Sequence, residues 1–161
     1  MYSVDVGNEY QKSKSTFLRS SLLFSLLLTV ILIADVLLVV LANEDYFVNL
    51  FIAITISVLF SWFAIYFFTN IYSDINARYR YFQGYNSGLH PTEEVIYLKK
   101  SDELCYLNGL YVYPVFVKYV TNLSSQDKII YTMDKDLDYV EGDKLTVTTY
   151  QRVLIKAEKH S

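Results

Sequence analysis

Residues 24–60 read FSLLLTVILIADVLLVVLANEDYFVNLFIAITISVLF: two apolar runs on either side of a short acidic turn, with one carboxylate, Asp35, inside the first run. The apolar runs extend outward to about residues 20–42 and 46–69. At ~1.5 Å rise per residue each makes a helix of roughly 34–36 Å, enough for a ~30 Å hydrocarbon layer with some tilt. The second run carries no charge. In the first, 16 of the residues from Leu22 to Leu41 are Leu, Ile, Val or Phe. Each of these favours insertion by about 0.3–0.6 kcal/mol, against about 3 kcal/mol lost at a central Asp, so the run inserts despite Asp35. The reading is a transmembrane hairpin turning at 43–45.

Composition agrees. Of 161 residues, 53% are hydrophobic and only 19% are charged, which points to the bilayer. A single cysteine, Cys105, excludes an internal disulfide. A net charge of −3 without a Lys/Arg block argues against a nucleic-acid partner.

Orientation follows from the basic residues. Lys12, Lys14 and Arg19 precede the first span, Arg78 and Arg80 follow the second, and the turn Asn43-Glu44-Asp45 has none. The positive-inside rule then puts both termini in the cytoplasm and localises the chain to the cell membrane. Arg19, Tyr46, Tyr72, Arg78 and Arg80 are the expected interface anchors. The competing reading, a signal peptide cleaved near Val40-Leu41-Ala42, needs an apolar core of about 7–15 residues, and this one is far longer.

Small and weakly polar residues mark the expected helix–helix contact. Asn49, Ala53, Ser57, Ser61 and Ala64 recur at helical spacing in the second span, and Ser21, Ser25 and Thr29 do so in the first. Such stripes let backbones approach where burying Leu against Leu gains little. In an antiparallel hairpin Asp35 lies level with Ala53 to Ser57, so Thr55 or Ser57 is its expected partner, with Asn49 a longer reach. An ionisable group at this depth is a candidate site by default. One acid without a second titratable group makes a poor proton path, and packing glue is the favoured role.

Helical spacing continues through Phe68, Ile71, Ile75, Tyr79 and Phe82. The expected layout is a cytoplasmic segment 1–19, spans 20–42 and 46–69, an external turn 43–45, a juxtamembrane helical extension 70–83, a linker 84–93 and a cytoplasmic β domain 94–159. In the last of these, β-branched and aromatic runs alternate with polar turns. Asn108-Gly109 signals a two-residue hairpin, and Pro114 marks an edge or a bend. In the final hairpin Leu145 and Val147 form one face, and Val153, Ile155 and Ala157 are set against Arg152, Leu154 and Lys156 on a mostly wet one. The fold class is therefore an α+β membrane protein: an antiparallel two-helix transmembrane hairpin and a small all-β barrel or sandwich of OB-like or SH3-like size. So small a core benefits from the adjoining helix or a partner.

No constellation for catalysis emerges. The acidic run Asp134, Asp136, Asp138 fails as a calcium loop, because Tyr139 and Leu145 fall where Gly and Glu are required. His90 and His160 lack a ligand set for zinc. No cofactor, metal or small-molecule substrate is expected. The tail VEGDKLTVTTYQRVLIKAE (140–158), behind two membrane helices, resembles NfeD-type membrane-anchored OB domains. The resemblance covers only this tail and the layout, and the Gly-rich turns of such domains are absent upstream. Two functions remain. The first is a non-enzymatic membrane adaptor or accessory subunit whose β domain binds a protein, in a homo-oligomer or a larger membrane complex. The alternative is a small oligomeric transport, pore or immunity-type component using Asp35.

Overall fold

The computed structural model describes residues 1–40, 46–88, 90–121 and 124–160; the expected turn at 43–45 lies outside them. The chain is α+β, with two long apolar helices and a mixed sheet of seven strands. It divides into two compact units, Lys12–Asn76 and Met1–Gln11 with Ala77–Ser161.

Helix α1 spans Val6–Val40, so most of the segment 1–19 is helical and continuous with the first apolar run. Asp5 starts it: its carboxylate accepts the Asn8 N–H at 3.0 Å, the geometry of an N-cap. Helix α2 (Tyr46–Tyr66) passes through a π-helical turn, Phe67–Tyr72, into α3 (Ser73–Ser87). Neither glycine nor proline falls between residues 8 and 83, which leaves nothing to break this long run. Both helices are long and apolar enough to cross a membrane, by length and composition. Within the helical unit the seam is aromatic at one end. Phe24 lies 4.8 Å from Phe67, 4.8 Å from Phe68 and 5.8 Å from Phe60, ring centre to ring centre.

The other unit holds strands β1 (Tyr2–Ser3), β2 (Thr92–Lys100), β3 (Cys105–Leu107), β4 (Leu110–Thr121), β5 (Ser124–Thr132), β6 (Lys144–Tyr150) and β7 (Val153–Lys159). Their order is β1-β7-β5-β4-β2-β6, β3 pairs with β4, and β6 also pairs with β7. The pairings are antiparallel except β5–β7. Leu107 pairs with Leu110 across Asn108 (φ 52) and Gly109 (φ 78), the two-residue turn the sequence signals. The β6–β7 turn has the same signs at Gln151 (φ 48) and Arg152 (φ 68), although neither residue favours them. Pro114 stands where β4 passes from β3 to β2 and faces Tyr131 of β5, a position that needs no proline N–H.

Two cores flank the sheet. One gathers Val95, Val115, Val117, Ile130, Leu145 and Val147 with Leu154 and Ala157. The other packs Tyr81 and Phe82 of α3 and Val6 of α1 against Leu110, Val112, Val153 and Ile155. The small β domain thus gains its second layer from helix ends. This corrects the expected wet face of β7. Leu154 is buried in the first core, and Val153 and Ile155 belong to the second. The cause is a register shift: Thr148 pairs with Lys156 but Thr149 with Leu154, so Ile155 is an extra residue that resets the alternation.

Candidate functional site

Asp35 is the acid at the helix seam. The Ser57 hydroxyl donates to its Oδ2 at 2.7 Å, linking α1 to α2 within one chain. Its Oδ1 is buried without a partner among the described residues. Of the residues offered as partners, Thr55 is turned away: its hydroxyl donates to the Phe51 carbonyl at 2.8 Å. Two residues advance a helix by about 200°, so one of this pair points at α1 and the other does not.

The small-residue stripe is divided by the same geometry. Ala53 is buried, Asn49 and Ala64 are half-buried, and Ser57 and Ser61 are exposed. Ser61 donates back to the Ser57 carbonyl at 2.8 Å. Leu50, Ile56, Phe60 and Phe67 are shielded as well, so bulky residues share the seam with the small ones. In α1, Ser21 is half-buried with an unpartnered buried hydroxyl, whereas Ser25 and Thr29 are exposed and Thr29 donates to the Ser25 carbonyl at 2.9 Å.

Among the anchor residues, Arg19, Arg80 and Tyr46 are exposed. Tyr72 joins the aromatic seam, 5.4 Å from Phe17. Arg78 forms a 2.5 Å ion pair with Glu9, tying α3 to the start of α1. The acidic run is a turn in which Asp134 accepts the Asp136 N–H at 2.9 Å. Among the described residues, no three His, Cys, Asp or Glu side chains converge as a metal site would require.

Sequence reading missed an aromatic cluster at the end of α3. His90 stacks on Tyr85 at 3.8 Å, and Tyr150 lies edge-on to both Tyr81 and His90. The Tyr81 hydroxyl donates to the Tyr150 carbonyl at 3.0 Å, and burial pushes its phenol far above the usual tyrosine value. A β-branched run and a helix meeting through Tyr leave no periodic signal, so only three-dimensional proximity reveals the cluster.

Comparison of the chain with protein-family models, with curated proteins and with solved structures finds no match. Nothing is carried over to it from the resemblance of residues 140–158.

Proposed function

We propose that the protein is a non-enzymatic membrane adaptor: a two-helix hairpin that anchors a cytoplasmic β domain, which in turn binds a protein partner. The observation that carries this reading is the nakedness of the apolar helices. In the most apolar window of α1 no residue is buried, and in that of α2 with its extension 11% are. A helix serving as the core of a soluble protein would be covered, and lipid is the cover that this composition fits.

The pairing of β1 with β7 supports a hairpin with both ends on one side, since Tyr2 lies opposite Ala157. It also favours an N-terminus that is retained rather than cleaved with a signal peptide. The basic residues assign that side to the cytoplasm. We read the β domain as a small, partly open barrel of the OB kind. The strands β2, β4, β5, β7 and β6 each pair with two others of the set, and that ring of five closes through the single parallel contact. A net charge of −2 over residues 92–161 argues against the nucleic-acid ligands such barrels often take.

The bond from Ser57 supports the reading of Asp35 as glue within the hairpin. The unpartnered Oδ1 favours a second reading, an oligomeric pathway in which Asp35 contacts an ion or another subunit. Purification in mild detergent separates the two. A discrete, stoichiometric heterologous protein supports the adaptor. A homo-oligomer that conducts ions in liposomes, and loses conduction with Asp35→Asn, overturns it.

A further inference from the structure

Among the described residues, most of the edge of β5 that faces away from β4 is covered by no other strand. β5 pairs with β4 along its length, but with β7 only where Tyr131 meets Val153. There the Tyr131 N–H donates to the Arg152 carbonyl at 2.8 Å, so the main-chain groups of Tyr131 point away from β4. Its neighbour on β4 is Pro114, which has no N–H to share. By the two-residue period of a strand, Ile129 and Asp127 turn their N–H and C=O groups the same way. No strand pairs with them on that side among the described residues.

That edge borders a groove of about 450 Å³. Lys128, Ile129, Ile130 and Tyr131 supply four consecutive lining residues, and Tyr119, Thr149 and Arg152 complete it. The Lys128 ammonium lies 4.4 Å from the centre of the Tyr119 ring. Arg152 is held in the left-handed region (φ 68) by its turn. Neither cation has a carboxylate partner among the described residues. The Ile129 side chain is 43% exposed beside them. Amides without a strand partner, an apolar side chain and two cations without an ion pair therefore share one cleft.

We propose that this edge of β5 is the docking site for an extended acidic segment of a partner protein, which adds as a further strand and sets its carboxylates against Lys128 and Arg152. Strand addition satisfies main-chain groups that the fold leaves open, and alternate side chains supply selectivity. The occupant is acidic because neither Lys128 nor Arg152 has an ion-pair partner among the described residues, and the nearby Glu93 carboxylate is engaged by the Tyr119 hydroxyl. Protein rather than nucleic acid fits a domain that is acidic overall, where two cations make no groove for a phosphate backbone. The inference rests on the adaptor reading and names where and what that adaptor binds.

The test uses the full chain in detergent micelles, with amide hydrogen exchange followed residue by residue by NMR. The probes are the capped peptide Glu-Val-Glu-Val-Glu, its lysine counterpart Lys-Val-Lys-Val-Lys, and inorganic phosphate. The acidic peptide should slow exchange at Asp127 and Ile129 by about tenfold or more and leave Gly142 unchanged. Lys128→Glu with Arg152→Glu should weaken the peptide by about tenfold or more. Ile129→Pro removes a donor that β4 does not use, so it should abolish protection at Asp127 while Ile130 stays protected. Unchanged exchange at Asp127 and Ile129, equal protection by the lysine peptide, or the same response to phosphate alone would each overturn the proposal. So would protection that rises with protein concentration without peptide, because the occupant would then be a second copy. A partner that co-purifies yet leaves these two amides unprotected refutes the docking site and spares the adaptor. Protection by the peptide with no co-purifying partner does the reverse.

Discussion

Gly109 and Gly142 form a natural pair for asking whether α3 is built into the β domain. Both have positive φ, +78 and +93, where an L side chain costs about 1–2 kcal/mol. Around Gly142 a new Cβ would meet nothing within 4 Å. At Gly109 it would press on the backbone of α3, inside contact distance of the Arg78 nitrogen and 3.0 Å from the Ala77 carbonyl carbon. Helix backbone cannot rotate aside as a side chain can, so an overpacking cost of about 1–3 kcal/mol adds to the strain. Gly142→Ala should therefore cost about 1–2 kcal/mol and Gly109→Ala about 2–5 kcal/mol. With a urea dependence of about 2 kcal/mol per molar, an extra 2 kcal/mol lowers the midpoint by about 1 M. The one tryptophan, Trp62, lies in α2 and does not report on the strands, so urea-dependent pulse proteolysis of the full chain in detergent is the suitable assay. Equal midpoints for the two variants would refute the packing of the Asn108-Gly109 turn against α3.

Asp35→Leu should insert more favourably by about 3 kcal/mol, yet weaken the helix pair by about 0.6 kcal/mol through loss of the Ser57 bond. Ser57→Ala should weaken the pair as much, and the double variant no further, in a double-mutant cycle read by helix–helix association. A fully additive double variant would contradict the bond. Acid should loosen the β6–β7 end. Lys159, hydrogen-bonded to Asp143 at 2.7 Å, and then the Val140 N–H hold the Asp143 carboxyl below its usual 3.8. Its stabilising contribution is complete above that value and fades as pH falls through the lower folded one. Asp143→Asn should remove this part of the acid dependence in a pH-titrated unfolding series, and an unchanged acid limb would show that the pair contributes nothing.

Much of the fold was legible where one local rule governs. Asn108-Gly109 accepts two positive φ angles and predicts its turn without outside help. The apolar runs announce long helices by length alone. The Gln151-Arg152 turn has no such residues, because β6–β7 pairing imposes its conformation from outside. β1 is two residues long, too short for periodicity, and its pairing with β7 depends on residues more than 150 positions away. Ile155 shifted the face of Leu154 because one inserted residue inverts an alternating pattern. At the candidate site, helical phase made Ser57 and Thr55 equal options from depth alone. Which hydroxyl faces α1 is a matter of helix rotation, which depth along the helix does not determine.

The central claim is a hairpin that puts both ends of the chain on the cytoplasmic side of a membrane. Its most direct test is cysteine accessibility in intact cells, with Cys105 replaced by Ser. A cysteine at Asn43, between the two apolar runs, should react with an impermeant maleimide. One at Val140, which is 67% exposed on the β domain, should react only after the membrane is opened. Labelling of Val140→Cys in intact cells, with Asn43→Cys protected, would contradict the account.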